Sequence, residues 1–336
     1  MAPVLARPAE NAPLTAPRRN PTPAPSVAVT MRAITYPAYG DETVLSFGAD
    51  RPDPRPGAGE LLVRVKAAGV NPVDWKVTAG YLDGHLDVRF PVIPGWDVAG
   101  VVEAVGEGVQ HYAPGDEIFS YARLPVVHQG TYAELVVVPE SYAAKRPERG
   151  SWAQAGGLPL VGLTALMTLD AVEVGKGDTV LVHAAAGGVG STAVQIAKAR
   201  GARVIGTASP RNHDYLRELG AEPVTYGDGL AERVRALAPD GVDAAMDYVG
   251  GQTQISASLI KDPSRLVSIA DRDAETLGGK YVFTHPDAEG LTELARLVDN
   301  GDLVLNVERE LPLDQAAEAY RLSKQGRTRG KIVLIP

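Results

Sequence analysis

The sequence predicts an α/β protein: a Rossmann-type, doubly wound parallel sheet joined to a second, β-rich domain. Three observations carry that expectation. From Thr179 onward, short apolar runs alternate with helical stretches, the pattern of a parallel sheet covered on both faces. A loop of small residues, "HAAAGGVGS", stands between the first apolar run and the first helix. From Met31 to about Ala155 the text is instead short apolar runs set between turn signals, which reads as strands and long loops.

Taken in order, residues 1–30 hold seven prolines and no aromatic residue. Such a segment buries too little apolar surface to offset its ordering entropy, so it is expected to be a disordered Pro/Ala-rich tail. A targeting or docking role is the alternative. Residues 31–155 form the β-rich domain, with "LLVRVKAAGV", "VAGVVEAVG", "DEIFSY" and "YAELVVVP" as strands. Residues 156–285 carry the alternating unit. Its strands are "TVLVHA", "ARVIGTA", "EPVTY", "GVDAAMDYV" and "RLVSIA"; its helices are "STAVQIAKARG", "NHDYLRELG", "LAERVRALA" and "QTQISASLI". From about residue 286 to 336 two further helical stretches lead to "GKIVLIP", a terminal strand expected to return to and complete the first domain.

The small-residue loop has a physical reading. Ala185, Gly187 and Gly190 occupy the three small positions of a G-x-G-x-x-G pattern, and Gly188 and Val189 lie between them. A dinucleotide pyrophosphate sits at the N-terminus of such a helix, where free amides and the helix dipole favour an anion. A Cβ at Gly187 would hold the backbone off the phosphate, and one at Gly190 would separate helix from strand. Within a strand–loop–helix–strand unit the pattern predicts a dinucleotide site. An acid at the tip of the next strand would bind a ribose 2′-hydroxyl. Here the strand runs out in "GTASPRN". Ser209 and Arg211 stand where the acid would be, and they suit a 2′-phosphate. The cofactor expected is NADP(H).

Composition excludes several classes. There is no cysteine, which removes disulfides, thiolate metal sites and cysteine nucleophiles. The net charge of −8 argues against a nucleic-acid partner. No apolar run approaches the roughly 20 residues of a membrane helix, and no signal peptide opens the sequence. The expected location is the cytoplasm.

Several segments together resemble the medium-chain dehydrogenase/reductase superfamily, in its zinc-free quinone oxidoreductase, zeta-crystallin-like branch. They are "AAGVNPVDWKVTAGY", "FPVIPGWDVAGVVEAVGEGVQHYAPGDEIF", "GTYAELVVVP", "GLPLVGLTALMTL", "VLVHAAAGGVGSTAVQIAK" and "TRGKIVL". The resemblance implies a GroES-like catalytic domain split around the Rossmann domain, an active site between them, and a homodimer. Zinc alcohol dehydrogenases of the superfamily place a cysteine and a histidine on the metal; Asn71 and Trp96 stand at the matching positions. Tryptophan cannot ligate zinc, and asparagine ligates it poorly. Without a Lewis acid the chemistry tilts toward reducing an activated acceptor, a quinone or an α,β-unsaturated carbonyl.

The resemblance also supplies site candidates. Asn71, Lys76 and Tyr81 are the catalytic ones. Asn71 would position the nicotinamide ribose or the substrate, or cap a local turn; Lys76 would stabilise an enolate, supply a proton or lie solvated beside Trp75; and Tyr81 would line the pocket or merely pack. Thr164, Tyr226, Asp247, Val249, Gly250, Ser268 and Phe283 are expected around the cofactor. Lys331 would reach a phosphate or lie on a surface strand. The activity expected is hydride transfer from NADPH to a quinone or enone. Its rivals are an enoyl reductase of thioester or natural-product intermediates and a crystallin-like NADPH-binding protein without efficient turnover.

Overall fold

The computed structural model describes residues 30–336; the expectation of a disordered tail over residues 1–30 falls almost wholly outside them. Two large sheets organise the described chain.

The first is antiparallel in its centre. Its spatial order is Val307–Pro312, Lys331–Ile335, Glu60–Val70, Asp97–Val105, Glu117–Tyr121 and Ala143–Lys145, with Leu135–Pro139 also paired to Glu60–Val70. The long strand shows why. Leu61, Val63 and Val65 are buried while Arg64 and Lys66 point to solvent, the period-2 pattern of a half-covered strand. From Ala67 to Val70 every residue is buried, because the helix Trp152–Gly157 lies on the other face. A Cβ on Gly69 would come within 2.7 Å of the Gly156 carbonyl oxygen, so glycine is required at this approach. The strand Lys331–Ile335 pairs antiparallel with Glu60–Val70, Ile332 opposite Val70. The end of the chain thus returns to the first sheet.

The second sheet is parallel, in the spatial order Glu222–Thr225, Arg203–Ala208, Thr179–Val182, Ala244–Asp247, Leu266–Ser268 and Lys280–Tyr281. Numbered along the chain this is 3-2-1-4-5-6, the doubly wound order. Both faces are apolar. Val180 and Val182 join one core cluster, which includes the helices Pro159–Ala171 and Gly188–Ala199. Leu181 joins another, with Ile205, Leu230 and Val234. The first cluster also takes in Trp96, Phe119 and Tyr121, so apolar packing is continuous between the two sheets. The sixth strand, two residues long, was not foreseen, and "QTQISASLI" forms only the short helix Thr253–Ala257.

Candidate active site

A cavity of about 900 Å³ opens at the C-terminal ends of the parallel strands. Gly187, Thr207, Ser209, Arg211, Tyr226 and Val249 line it, with Arg327 reaching in from the segment before the last strand. It lies where the strand order reverses, the place such sheets bind ligands. The loop above the first strand is built for close approach. Ala185 is fully buried and its amide donates to the Thr207 carbonyl at 3.0 Å. A Cβ on Gly190 would meet the Ala184 carbonyl oxygen at 2.3 Å, so only glycine lets the helix Gly188–Ala199 seat against the strand. The missing Cβ of Gly187 leaves its backbone open to the cavity. These residues fit a dinucleotide: a helix N-terminus for the pyrophosphate and a cavity of the right size. Arg211 is exposed and one of its N–H groups donates to the Arg327 carbonyl at 3.0 Å. The remaining donors are available to an anion. Two carboxylates, Asp228 and Glu232, line the same cavity.

Other residues expected at the cofactor hold the site from behind. Asp247 is fully buried. Its carboxylate accepts from the amides of Val249 at 3.0 Å and Gly250 at 2.8 Å. It shapes the turn that presents Val249. Gly250 adopts φ +91°, which the turn requires. Ser268, also buried, accepts from the Ala270 and Asp271 amides. Thr164 is 3% exposed, its hydroxyl shared between the Leu160 carbonyl at 2.6 Å and Thr284 Oγ1 at 2.7 Å. The polar atoms of Asp247, Ser268 and Thr164 are engaged inside the protein, and the three residues stand behind the cavity lining. Gly188 faces the opposite way: a Cβ there would meet Val161 and Lys331 rather than the cavity. Val189 packs against the core.

The largest correction concerns Asn71 and Lys331. Both are buried, at 1% and 3% exposure. The Lys331 ammonium donates to the Val70 carbonyl at 2.9 Å and to Asn71 Oδ1 at 2.5 Å. It lies 3.7 Å from Asp97 Oδ2. Asn71 Nδ2 donates to the same Asp97 oxygen at 2.8 Å, and the Leu160 amide donates to Asp97 Oδ1 at 2.8 Å. Asp74 Oδ2 accepts from the Asn71 amide and from the Tyr132 hydroxyl, each at 2.7 Å. Lys331 therefore neither reaches a phosphate nor lies on the surface, and both ends of the Asn71 amide are committed to the junction. Burial pushes Asp74 up to about 7. Burial pushes Asp97 up to about 6, against the pull of Lys331 and Asn71. Burial also lowers Lys331, with Asp97 opposing the shift. Asp97 and Tyr132 were missed; the only signal in the sequence is an acid inside the apolar text of "GWDVAGVV".

The cleft rim differs from expectation too. Lys76 sits on the exposed face of the helix Pro72–Thr78, opposite the buried Asp74, Val77 and Thr78. Its ammonium lies 5.7 Å from the Trp75 ring. The helix turns its other face to the interior. Tyr81 is 70% exposed and packs edge-on against Trp75. Phe283 is 47% exposed and faces Arg123, whose guanidinium carbon is 5.1 Å from the ring centroid and 5.9 Å from that of the buried Trp96. Among the described residues no three His, Asp or Glu side chains converge in a metal-ligating group.

Residues 57–148 match the alcohol dehydrogenase GroES-like domain family, and residues 219–334 match the zinc-binding dehydrogenase family. The chain is 37% identical over 332 residues to the chloroplastic quinone-oxidoreductase homolog of Spinacia oleracea, covering 92% of this chain and 99% of the relative. It is 31% identical over 325 residues to the chloroplastic NADPH-dependent alkenal/one oxidoreductase of Arabidopsis thaliana, covering 94% and 82%. A mycobacterial structure solved in complex with NADPH superposes with a TM-score of 0.79 at 31% identity, covering 91% of this chain and all of the other.

Proposed function

Since the chain belongs to the medium-chain dehydrogenase/reductase superfamily, beside its quinone oxidoreductases and alkenal/one reductases, we propose that it uses NADPH to reduce quinones and α,β-unsaturated carbonyls without a metal ion. The observation that carries the cofactor choice is the tip of the strand Arg203–Ala208. No acid follows it; Ser209 and Arg211 follow it and line the cavity, with Arg327 beside Arg211. A 2′-phosphate there gains charge-assisted hydrogen bonds that a 2′-hydroxyl cannot make.

When bound, the reduced nicotinamide supplies a hydride. The chain's own work is to hold and shield. The amides at the start of the helix Gly188–Ala199, which have no partner within the helix, take the pyrophosphate, while those of Ala184, Ala185 and Gly187 are engaged in holding the loop. Asp247 and Ser268 fix the turn carrying Val249 and Gly250, and so shape the wall of the cavity. Trp96 and Tyr121, buried at 5% and 1%, and Phe283 wall the cleft between the sheets, where they exclude water from the reacting carbons. Charge develops on the acceptor's oxygen, so a donor is needed there.

Equilibrium binding tests the cofactor choice. NADPH should bind the full chain more tightly than NADH. Arg211→Ala should weaken NADPH by about 1.5–3 kcal/mol, roughly 10- to 150-fold, and NADH far less. Equal affinity of the unaltered protein for the two would refute the reading. Turnover should also survive a strong chelator; loss of activity on chelation, restored by zinc, would overturn the metal-free part.

A further inference from the structure

Arg123 follows the strand Glu117–Tyr121 of the first sheet and reaches toward the second. Trp96, with its ring centroid 5.9 Å from the guanidinium carbon, precedes the strand Asp97–Val105; Phe283, at 5.1 Å, follows the strand Lys280–Tyr281. The cation thus spans the cleft between the sheets. The buried Tyr121 hydroxyl is close by: burial pushes it upward and the charge of Arg123 pulls it back. Yet Nε of Arg123 is buried with no acceptor among the described residues. By contrast the partly buried Arg265 lies 2.8 Å from Asp178 and Arg146 2.7 Å from Glu117. A buried N–H without an acceptor is destabilising, and aromatic faces offset only part of that. Nε of Arg123 is thus an unpaired donor set between the two sheets, on a guanidinium whose other neighbours are the Tyr121 hydroxyl and two aromatic rings.

The geometry points to Arg123 as the catalytic donor that stabilises the oxygen of the acceptor as hydride arrives. The assignment rests on the reductase reading above. An enone takes hydride, with its two electrons, at the β-carbon from NADPH, which leaves as NADP⁺. The alkene pair shifts to the Cα–carbonyl bond and the carbonyl pair moves onto oxygen. The resulting enolate takes a proton from water at Cα. The oxygen is neutral in the ground state and anionic after transfer, so a fixed guanidinium beside it binds the transition state more strongly than the substrate. Lys76 lies on the exposed face of its helix, beside the Trp75 ring.

The test compares Arg123→Met and Arg123→Lys with the unaltered full chain, and uses Arg123→Gln where the methionine variant does not fold. Two readouts are taken. One is single-turnover hydride transfer to an enone and to a quinone. The other is the ionisation of 4-nitrophenol bound to the NADP⁺-loaded protein, read by absorbance below its free pKa. The neutral variants should lower the enone rate about 100-fold or more, with melting temperature nearly unchanged and NADPH affinity within threefold. The quinone rate should fall less, and the lysine variant should recover part of the loss. Bound nitrophenol should be shifted toward phenolate by the unaltered protein and not by the neutral variants. If a neutral variant keeps both the enone rate and the phenolate shift, Arg123 is not the donor. If it loses NADPH affinity instead, Arg123 serves the cofactor and the proposal is overturned. A protein that reduces neither acceptor would fail the reductase reading alone, because the phenolate shift still reports on Arg123.

Discussion

Replacing Lys331 with methionine tests the junction between the strands Glu60–Val70 and Lys331–Ile335. Methionine keeps most of the stem volume, so the loss is the charge and its donors. Removing the ammonium leaves the Val70 carbonyl and Asn71 Oδ1 without their 2.9 Å and 2.5 Å donor. Asp97 Oδ2, 3.7 Å away in a residue with no exposure, loses its counter-ion. Breaking one partner of a buried pair is destabilising by about 3–5 kcal/mol. For roughly 300 ordered residues the unfolding entropy is near 0.6 kcal/mol/K, so the melting temperature should fall by about 5–8 °C. The sign with pH follows from Asp97. Burial raises it to about 6. A folded carboxyl above its unfolded value withdraws stability as pH climbs from the ordinary carboxylate range to the folded value. Without Lys331 the pull that lowers it disappears and the folded value climbs further. The deficit of the variant should therefore be smaller at pH 5, where the two orphaned acceptors remain, and full at pH 8. Adding Asp97→Asn to the variant should recover much of the loss, since the stranded charge is gone. Thermal unfolding followed by circular dichroism at both pH values reads this directly. A fall under about 1 °C at pH 8, or an equal fall at both pH values, would show that the pair is not a desolvated ion pair.

Two further outcomes follow from the same geometry. Gly190→Ala places a Cβ 2.3 Å from the Ala184 carbonyl oxygen; overpacking should lower stability by about 1–3 kcal/mol and weaken NADPH binding as the loop is pushed outward, measured by thermal unfolding and fluorescence titration. Lys76→Met should leave hydride transfer to both an enone and a quinone within twofold, since Lys76 faces solvent; a selective loss on the enone would return Lys76 to the cleft.

The parallel sheet and its loop were legible because their causes are local. "TVLV" and "AAMD" can be buried on both faces, and only small residues allow the turn between strand and helix. The site behind the loop was less legible because its causes are distant in the chain. Lys331 and Asn71 are 260 positions apart. In "GKIVLIP" the lysine reads as a strand end at the surface, and only pairing with Glu60–Val70 buries it. Asp74 and Lys76 occupy one short helix and look equally polar; the helix turns one inward and the other outward. The role of Arg123 is invisible in "SYARLPVV" because its aromatic neighbours come from different sheets.

The buried hydrogen bonds fix the relation between the two walls of the site. Asp97 belongs to the first sheet and accepts from the amide of Leu160, at the start of the helix Pro159–Ala171 that packs on the second. The Gly330 amide donates to the Ala186 carbonyl at 3.1 Å, which ties the glycine loop to the segment entering the last strand. A buried ion pair adds little net stability, because desolvation offsets its attraction. What it does add here is a single relative position of cofactor cavity and cleft. The groups left free are on the rim: Tyr226, Val249, Phe283 and Tyr81, exposed by 57%, 59%, 47% and 70%. Substitutions within the junction change the distance between hydride donor and acceptor, and so act on every acceptor alike. Substitutions at Phe283 and Tyr81 should change which acceptor fits and move KM from one acceptor to another while the transfer step keeps its rate, whereas those at Tyr226 and Val249, which line the dinucleotide cavity, should move cofactor affinity.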